Sequence, residues 1–344
     1  MAIPVIKMAT IGLLPSPLKK FYYRLRGAKI GKNVTIGLLS ILNGKEIIIE
    51  DNASIGHVTF ITARKIRIGK RVKINMMVAI ETGEFEINND SVIMEQIVIG
   101  GMLTPRSSIY IGKRVKIFPY SFLNTTEKII IEDDVGIGGA NYIFTHGSWQ
   151  SILDGFPVNF GPVTIKKGAW FPWRVFVMPN VTVGEYATIG AGSVITKDIP
   201  PRSLAVGSPA KVIKQGSEYI KEYSKEEKLR ILVKIIEEMA AYFSFKFGKP
   251  FHFNSVDNSE IIAEITVPNG KKIICANHFE FTGNEVAVIS FTPINKAIIK
   301  ELNGSGIAWF DIEGKQTFYR YRDVYWSEIK DFFSRYGIHF EIES

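Results

Sequence analysis

"IEDNASIGHVTFITARKIRI", residues 49–68, decides the architecture of the larger part of the chain. Ile49, Ile55, Ile61 and Ile68 stand six, six and seven residues apart, with small and polar residues between them. The beat runs backwards through Leu42, Ile36 and Ile30 and forwards through Ile74, Ile80, Ile87, Ile93 and Ile99. An amphipathic helix needs apolar residues three to four apart, which a period of six does not supply. Three short strands per turn do supply it. They make a triangular prism in which each face sends one aliphatic side chain to the axis, and each coil is stable only beside its neighbours.

The coil measures 19 residues, from Ile30 to Ile49 to Ile68 to Ile87. After an irregular "GGMLTPRSS" (100–108) the rhythm resumes at Ile111, Ile117 and Leu123, then Ile131, Ile137 and Ile143. It closes on Ile165, Phe171 and Val177, then Val183, Ile189 and Ile195, at 18 residues per coil. About eight coils are expected between residues 30 and 200. Glycines and asparagines follow the anchors, as in "IGKNVT" (30–35), and are expected to form the corners with positive φ. The beat breaks off once, at "IFTHGSWQ" (143–150), and the next secure anchor is Ile165.

A chain of 344 residues with 46% hydrophobic content can bury a sizeable core without metal or disulfide help. Its single cysteine, Cys275, excludes an internal disulfide framework and agrees with a reducing compartment, so a cytoplasmic location is expected. No apolar run reaches the ~20 residues of a membrane helix, and no secretory signal is read at the N-terminus. In residues 1–29, Lys19, Lys20, Arg24, Arg26 and Lys29 alternate with Phe21, Tyr22, Tyr23 and Leu25. The segment is read as a cap over the first coil, with a weak peripheral contact to an anionic membrane as the other reading. The net charge of +8 is spread along the repeats rather than massed, and no nucleic-acid-binding module is present, so nucleic acid is not expected as a partner.

Beyond Lys214 the rhythm is lost. "SKEEKLRILVKIIEEMAAYFSFKFG" (224–248) places Leu229, Leu232, Ile235, Ile236, Met239 and Phe243 on one helical face, with Ser224 as N-cap. Strands are expected in "EIIAEITV", "KKIICANHF" and "NEVAVISF", the first two joined by a "PNG" turn. A helix near 294–302, the strand "GIAWFDI", a helix near 323–336 and a last strand "IHFEI" complete an α+β domain, residues 215–344, of unknown role.

The repeat, and the closing stretch "VGEYATIGAGSVITKDIPPRSLAVGSPAKVIK" (183–214), resemble the hexapeptide-repeat acyltransferases, specifically the acetyl-CoA-dependent sugar O-acetyltransferases. The resemblance implies a mainly β fold, a left-handed parallel β-helix over residues 30–214, working as a homotrimer. The hand comes from the resemblance alone, since ordinary parallel crossovers are right-handed.

The resemblance also implies where acetyl-CoA lies, in a groove between β-helices of the trimer. It puts Ala191 and Gly192 along the pantetheine arm, Thr196 and Lys197 nearby, and Lys211 and Lys214 near the phosphates. Trp170 matches an aromatic of the family, whereas Trp173, after Pro172, stands where a small residue is usual. That departure implies a narrowed groove or a shifted donor.

Acyl transfer to a hydroxyl needs a base, and imidazole is suited to it. By resemblance the base precedes the long extruded loop, where His146 stands, and an asparagine of the preceding coil, Asn124 with Tyr120 as rival, binds the acceptor or orients the site. Trp149, Gln150 and Asp154 in the loop are candidates for acceptor binding. His57 is left as a surface or interface residue, and His252, His278 and His339 lie outside the repeat. The zinc-binding members of the fold use three histidines, whereas only His57 and His146 fall in this β-helix, so no metal is expected. The expected activity is O-acetylation of a sugar in surface polysaccharide assembly. N-acetylation of an amino sugar and a non-catalytic trimeric scaffold are the alternatives.

Overall fold

The structure, a computed structural model, describes residues 5–256, 261–276, 284–318, 320 and 323–343. They form two compact units that divide between Lys221 and Glu222.

The first unit is a parallel β-helix of eight coils. Its three faces are here called A, B and C, and each is a parallel sheet to which every coil contributes one strand. Coil 1 contains Lys29–Ile30, Thr35–Ile36 and Ile41–Asn43; coil 8 contains Thr182–Val183, Thr188–Ile189 and Val194–Ile195. The register on face A pairs Ile30 with Ile49, Ile68 with Ile87, Ile111 with Ile131 and Ile131 with Ile165. The anchors read from the sequence are therefore the axial ladder, and Ile61, Ile93, Ile117 and Ile143 are completely buried. Each such side chain contributes about 1.5–3 kcal/mol of hydrophobic stabilisation.

The corners differ from expectation in one respect. Positive φ falls three residues after the anchors of faces A and B, at Asn33, Leu39, Asn52, Val58, Arg71 and Met77 and onwards, with few glycines among them. The glycines directly after the anchors serve another need. A Cβ on Gly37 would come within 2.5 Å of the Gly56 backbone, and one on Gly56 within 2.5 Å of the Asn75 backbone. They are required by the close approach of successive coils, not by their own dihedrals.

Both ends of the prism are covered. The helix Ser16–Leu25 lies on coil 1, where the Tyr23 hydroxyl accepts a hydrogen bond from Leu42 N at 2.9 Å. Lys19, one of the cations of the alternative membrane reading, is buried, and its Nζ donates to the Gly37 carbonyl. At the other end Ser203–Gly207 joins face B beside Thr188, and Ala210–Gln215 returns antiparallel along it.

The second unit is a seven-stranded mixed sheet with the helix Lys225–Phe247 packed on one face. Ser224 and Glu227 form a complete capping box at the start of that helix. Strands at Ile261–Thr266, Lys272–Ala276, Glu285–Ser290 and Ala308–Asp311 and helices at Lys296–Ser305 and Val324–Phe333 follow the sequence reading. Strands His252–Ser255 and Gln316–Phe318 were not foreseen. Cys275 is fully buried, and burial pushes its thiol up to about 12, so it is inert at neutral pH. His278 lies outside the described residues.

Candidate active site

The break in the rhythm is a loop on the edge between faces C and A of coil 6. Its base is a two-residue antiparallel hairpin, His146–Gly147 against Asn159–Phe160, in which His146 pairs with Phe160. The Phe160 ring stacks on the imidazole at 5.8 Å between centroids and 27° between planes. Asn180, on the same edge of coil 7, donates from Nδ2 to Asn159 Oδ1 at 2.8 Å and to the Phe160 carbonyl at 3.3 Å. Its side chain fills the space beside Gly161, where an added Cβ would lie 1.6 Å from Asn180 Oδ1.

Beneath His146, coil 5 ends in "NTTE" (124–127), four polar residues that are all buried. Asn124, Thr126 and Glu127 are bonded to one another and to the neighbouring coils, whereas the buried Thr125 hydroxyl has no partner among the described residues. Asn124 Oδ1 lies 3.1 Å from His146 Nδ1 and accepts the Thr126 N–H at 3.2 Å. An oxygen so engaged accepts from the imidazole, so Nδ1 carries the proton and Nε2 the free lone pair. Thr126 Oγ1 stands 3.4 Å from the same Nδ1 and accepts from Met102 N at 3.1 Å. The Thr145 hydroxyl donates to the Asn124 carbonyl at 2.7 Å and accepts the Glu127 N–H at 2.9 Å.

The irregular stretch 100–108 is the outer brace of this cluster. Thr104 Oγ1 donates to the Thr126 carbonyl at 2.9 Å, and Arg106 grips the Glu127 carboxylate with two bonds of 2.6 Å. That guanidinium holds the Glu127 carboxyl below the usual glutamate value. The two irregularities of the repeat, 100–108 and 144–162, thus meet on one edge of the prism.

Of the residues singled out from the sequence, His146 and Asn124 are brought together. Tyr120 is not: it projects from the edge between faces B and C, 58% exposed, at φ 65°. Trp149, 94% exposed, Gln150 and Asp154 sit in the outer loop without packing against His146. Thr126, Thr145, Phe160 and Asn180 were missed, because their partners lie 14 to 20 residues away in sequence. The run of polar residues after Leu123, in a coil lengthened to 20 residues, was the available signal.

Of the residues expected on the donor side, Trp173, Ala191 and Gly192 occupy a different edge, between faces B and C. The Trp173 indole lies on Gly139 of coil 6, where a Cβ would come within 2.4 Å of the ring. Gly192 donates its N–H to the Trp173 carbonyl at 3.0 Å, and Ala191 beside it is exposed. A Cβ on Gly192, at φ +71°, would meet nothing within 4 Å. Trp170 stacks against Gly136 on face B. Lys211 and Lys214 are exposed on the strand that extends that face, while Thr196 and Lys197 are exposed where coil 8 leaves face C. Trp173 therefore lies down on the preceding coil and leaves the Ala191–Gly192 corner open.

No family model matches the chain. It is 33% identical over 135 residues to the galactoside O-acetyltransferase of Escherichia coli K12, covering 35% of this chain and 63% of that one. A 55-residue stretch is 58% identical to Staphylococcus aureus proteins, covering 16% of this chain and 28% of theirs. The chain thus spans under two thirds of the length of these relatives. Among solved structures it is similar to the polySia-specific acetyltransferase NeuO, at 20% identity and a TM-score of 0.39, covering 64% of this chain and 94% of that one. It is also similar to a maltose O-acetyltransferase of Clostridium difficile 630, at 30% identity and a TM-score of 0.30, covering 37% and 70%. With its six-residue ladder, its eight coils of parallel β-helix and these sequence relatives, the chain is similar to the hexapeptide-repeat acetyltransferases.

Proposed function

We propose that the first unit transfers an acetyl group from acetyl-CoA to a hydroxyl of a sugar, in the assembly of a surface polysaccharide, with His146 as general base. The observation that carries this reading is the bond between His146 Nδ1 and Asn124 Oδ1, which leaves Nε2 as the basic nitrogen. It stands at the mouth of the loop, with its ring held by Phe160.

Acetyl-CoA supplies the acyl group as a thioester. The open corner at Gly192 and the two lysines of the outer strand fit a donor with a slender arm and a phosphate-bearing end. On the acceptor side, Nε2 takes the hydroxyl proton as the oxygen bonds to the acyl carbon, and returns it to the departing sulfur. Asn124 and Thr126 keep Nδ1 protonated throughout and stabilise the transient imidazolium. Cys275 has no part in the transfer, since it is buried in the other unit.

The base stands on one edge of the prism and Trp173, Ala191 and Gly192 on another, with face C between them. A single chain therefore does not unite them. We read the active form as a homotrimer in which the edge bearing His146 meets the Trp173–Gly192 edge of a second copy.

The test is thiol release from acetyl-CoA across a panel of sugars and amino sugars. His146→Ala is expected to lower kcat about 10²–10⁴-fold with an intact fold. Undiminished turnover would remove His146 from this role. Turnover confined to amino sugars would turn the assignment to N-acetylation, and failure of the wild type to bind CoA would favour the scaffold.

A further inference from the structure

A cavity of about 630 Å³ opens at coils 1 and 2, between the N-terminal helices and the corner residues 43–45 and 62–64. Its inner wall is apolar, with Tyr23, Ile41 and Leu42 buried. Its mouth carries four cations, Lys7, Arg26, Lys45 and Arg64, and none of its lining residues is acidic. Arg64 also reaches the surface carboxylate of Glu84, and Lys7 Nζ donates to Asn43 Oδ1 at 3.0 Å. Arg26 rests on the Tyr22 ring, 5.7 Å from its centroid. Among the described residues, Lys7, Arg26 and Lys45 have no carboxylate partner.

Converging like charges on a concave surface is unfavourable unless an anion relieves it, and the concavity focuses the field on whatever enters. Two guanidinium forks and two ammonium groups suit a multiply charged oxyanion better than a single carboxylate. We propose that this pocket binds a phosphate or pyrophosphate ester. The proposal needs neither His146 nor the acetyl donor. A corollary rests on the reading of His146 as base: the pocket shares its prism edge with His146, four coils away, or roughly 20 Å at the spacing of neighbouring strands. An acceptor with a phosphate at one end and its reacting hydroxyl within that reach would span both.

The test is calorimetric titration of the full chain with inorganic pyrophosphate, with variants of the pocket separating it from any groove for the donor's phosphates. Saturable binding that weakens with salt is expected. Arg26→Gln and Lys45→Gln should each weaken it roughly tenfold, the loss of one charge-assisted contact. Lys45→Arg should retain it, and Lys271→Gln in the second unit should leave it unchanged. No saturable binding, or binding unaltered in both Gln variants, overturns the proposal. The exposed Leu18, Phe21 and Leu25 beside the pocket make a lipid headgroup one source of the phosphate. Sedimentation with phosphatidylglycerol vesicles, reversed by pyrophosphate, assigns that source. Pyrophosphate binding without sedimentation assigns a soluble ester. Sedimentation that neither pyrophosphate nor the Gln variants alter, with no pyrophosphate binding, also overturns the pocket.

Discussion

Asn124 Oδ1 accepts the Thr126 N–H and thereby presents its acceptor, not its amine, to His146. Removing that oxygen leaves Nδ1 without its main partner when the imidazole becomes cationic. A hydrogen bond to a charged group is worth about 1.5–3 kcal/mol, so Asn124→Ala should lower kcat roughly ten- to a hundredfold. The loss should fall on kcat with KM little changed; an unchanged kcat would leave Asn124 a structural residue only. A second residue-scale outcome concerns Glu127. Its folded value is held down by Arg106, so the stability it contributes is present above the ordinary glutamate range and is lost as pH falls through the lowered folded value. Protection of residues 100–108 against hydrogen exchange, taken relative to the intrinsic rate at each pH, should fall on acidification in the wild type. In Arg106→Ala that acid dependence should flatten, since the carboxyl then titrates nearer its unfolded value.

At the scale of the coil, the corner divides its labour between two positions. Where a glycine follows an anchor, as at Gly37 and Gly56, the next coil passes against it, and the residue three after an anchor of face A or B must accept a left-handed backbone. Val58 is a β-branched residue at φ 55°, a conformation that costs an L-residue roughly 1–2 kcal/mol. Val58→Asn should therefore raise the unfolding midpoint, whereas Gly56→Ala should lower the stability by about 1–3 kcal/mol through overpacking; denaturant melts read both. This division also explains what was legible in the sequence. The ladder was, because burial of one side chain per face imposes a strict period. The loop that begins at His146 was, because a period that breaks off marks an insertion. Thr126, Phe160 and Asn180 were not, because bonds between coils leave no local pattern, and Tyr120 stayed a rival until the register put it on another edge. The mixed sheet of the second unit was equally opaque: its strands were visible, but the parallel pairing of Lys272–Ala276 with Glu285–Ser290 is written in no short stretch.

For the whole first unit, the separation of His146 from Trp173 and Gly192 makes a demand that one chain does not meet. If the working site is shared between copies, two variants damaged on different edges should repair each other. Co-expressing His146→Ala with Ala191→Trp should restore part of the activity that each lacks alone, because some mixed trimers contain one site with both halves intact. No recovery would place both halves on one chain. The ends of the prism carry a different consequence. A coil that stabilises its neighbour offers the same invitation to any further coil, so a bare parallel β-helix has no internal reason to stop. The antiparallel turn of Ala210–Gln215 reverses the strand direction on face B, and the helix Ser16–Leu25 covers coil 1 with a surface that has no free ladder. Length in this molecule is therefore set by two local terminators, and it is they that keep a self-propagating repeat a discrete particle rather than the start of a fibre.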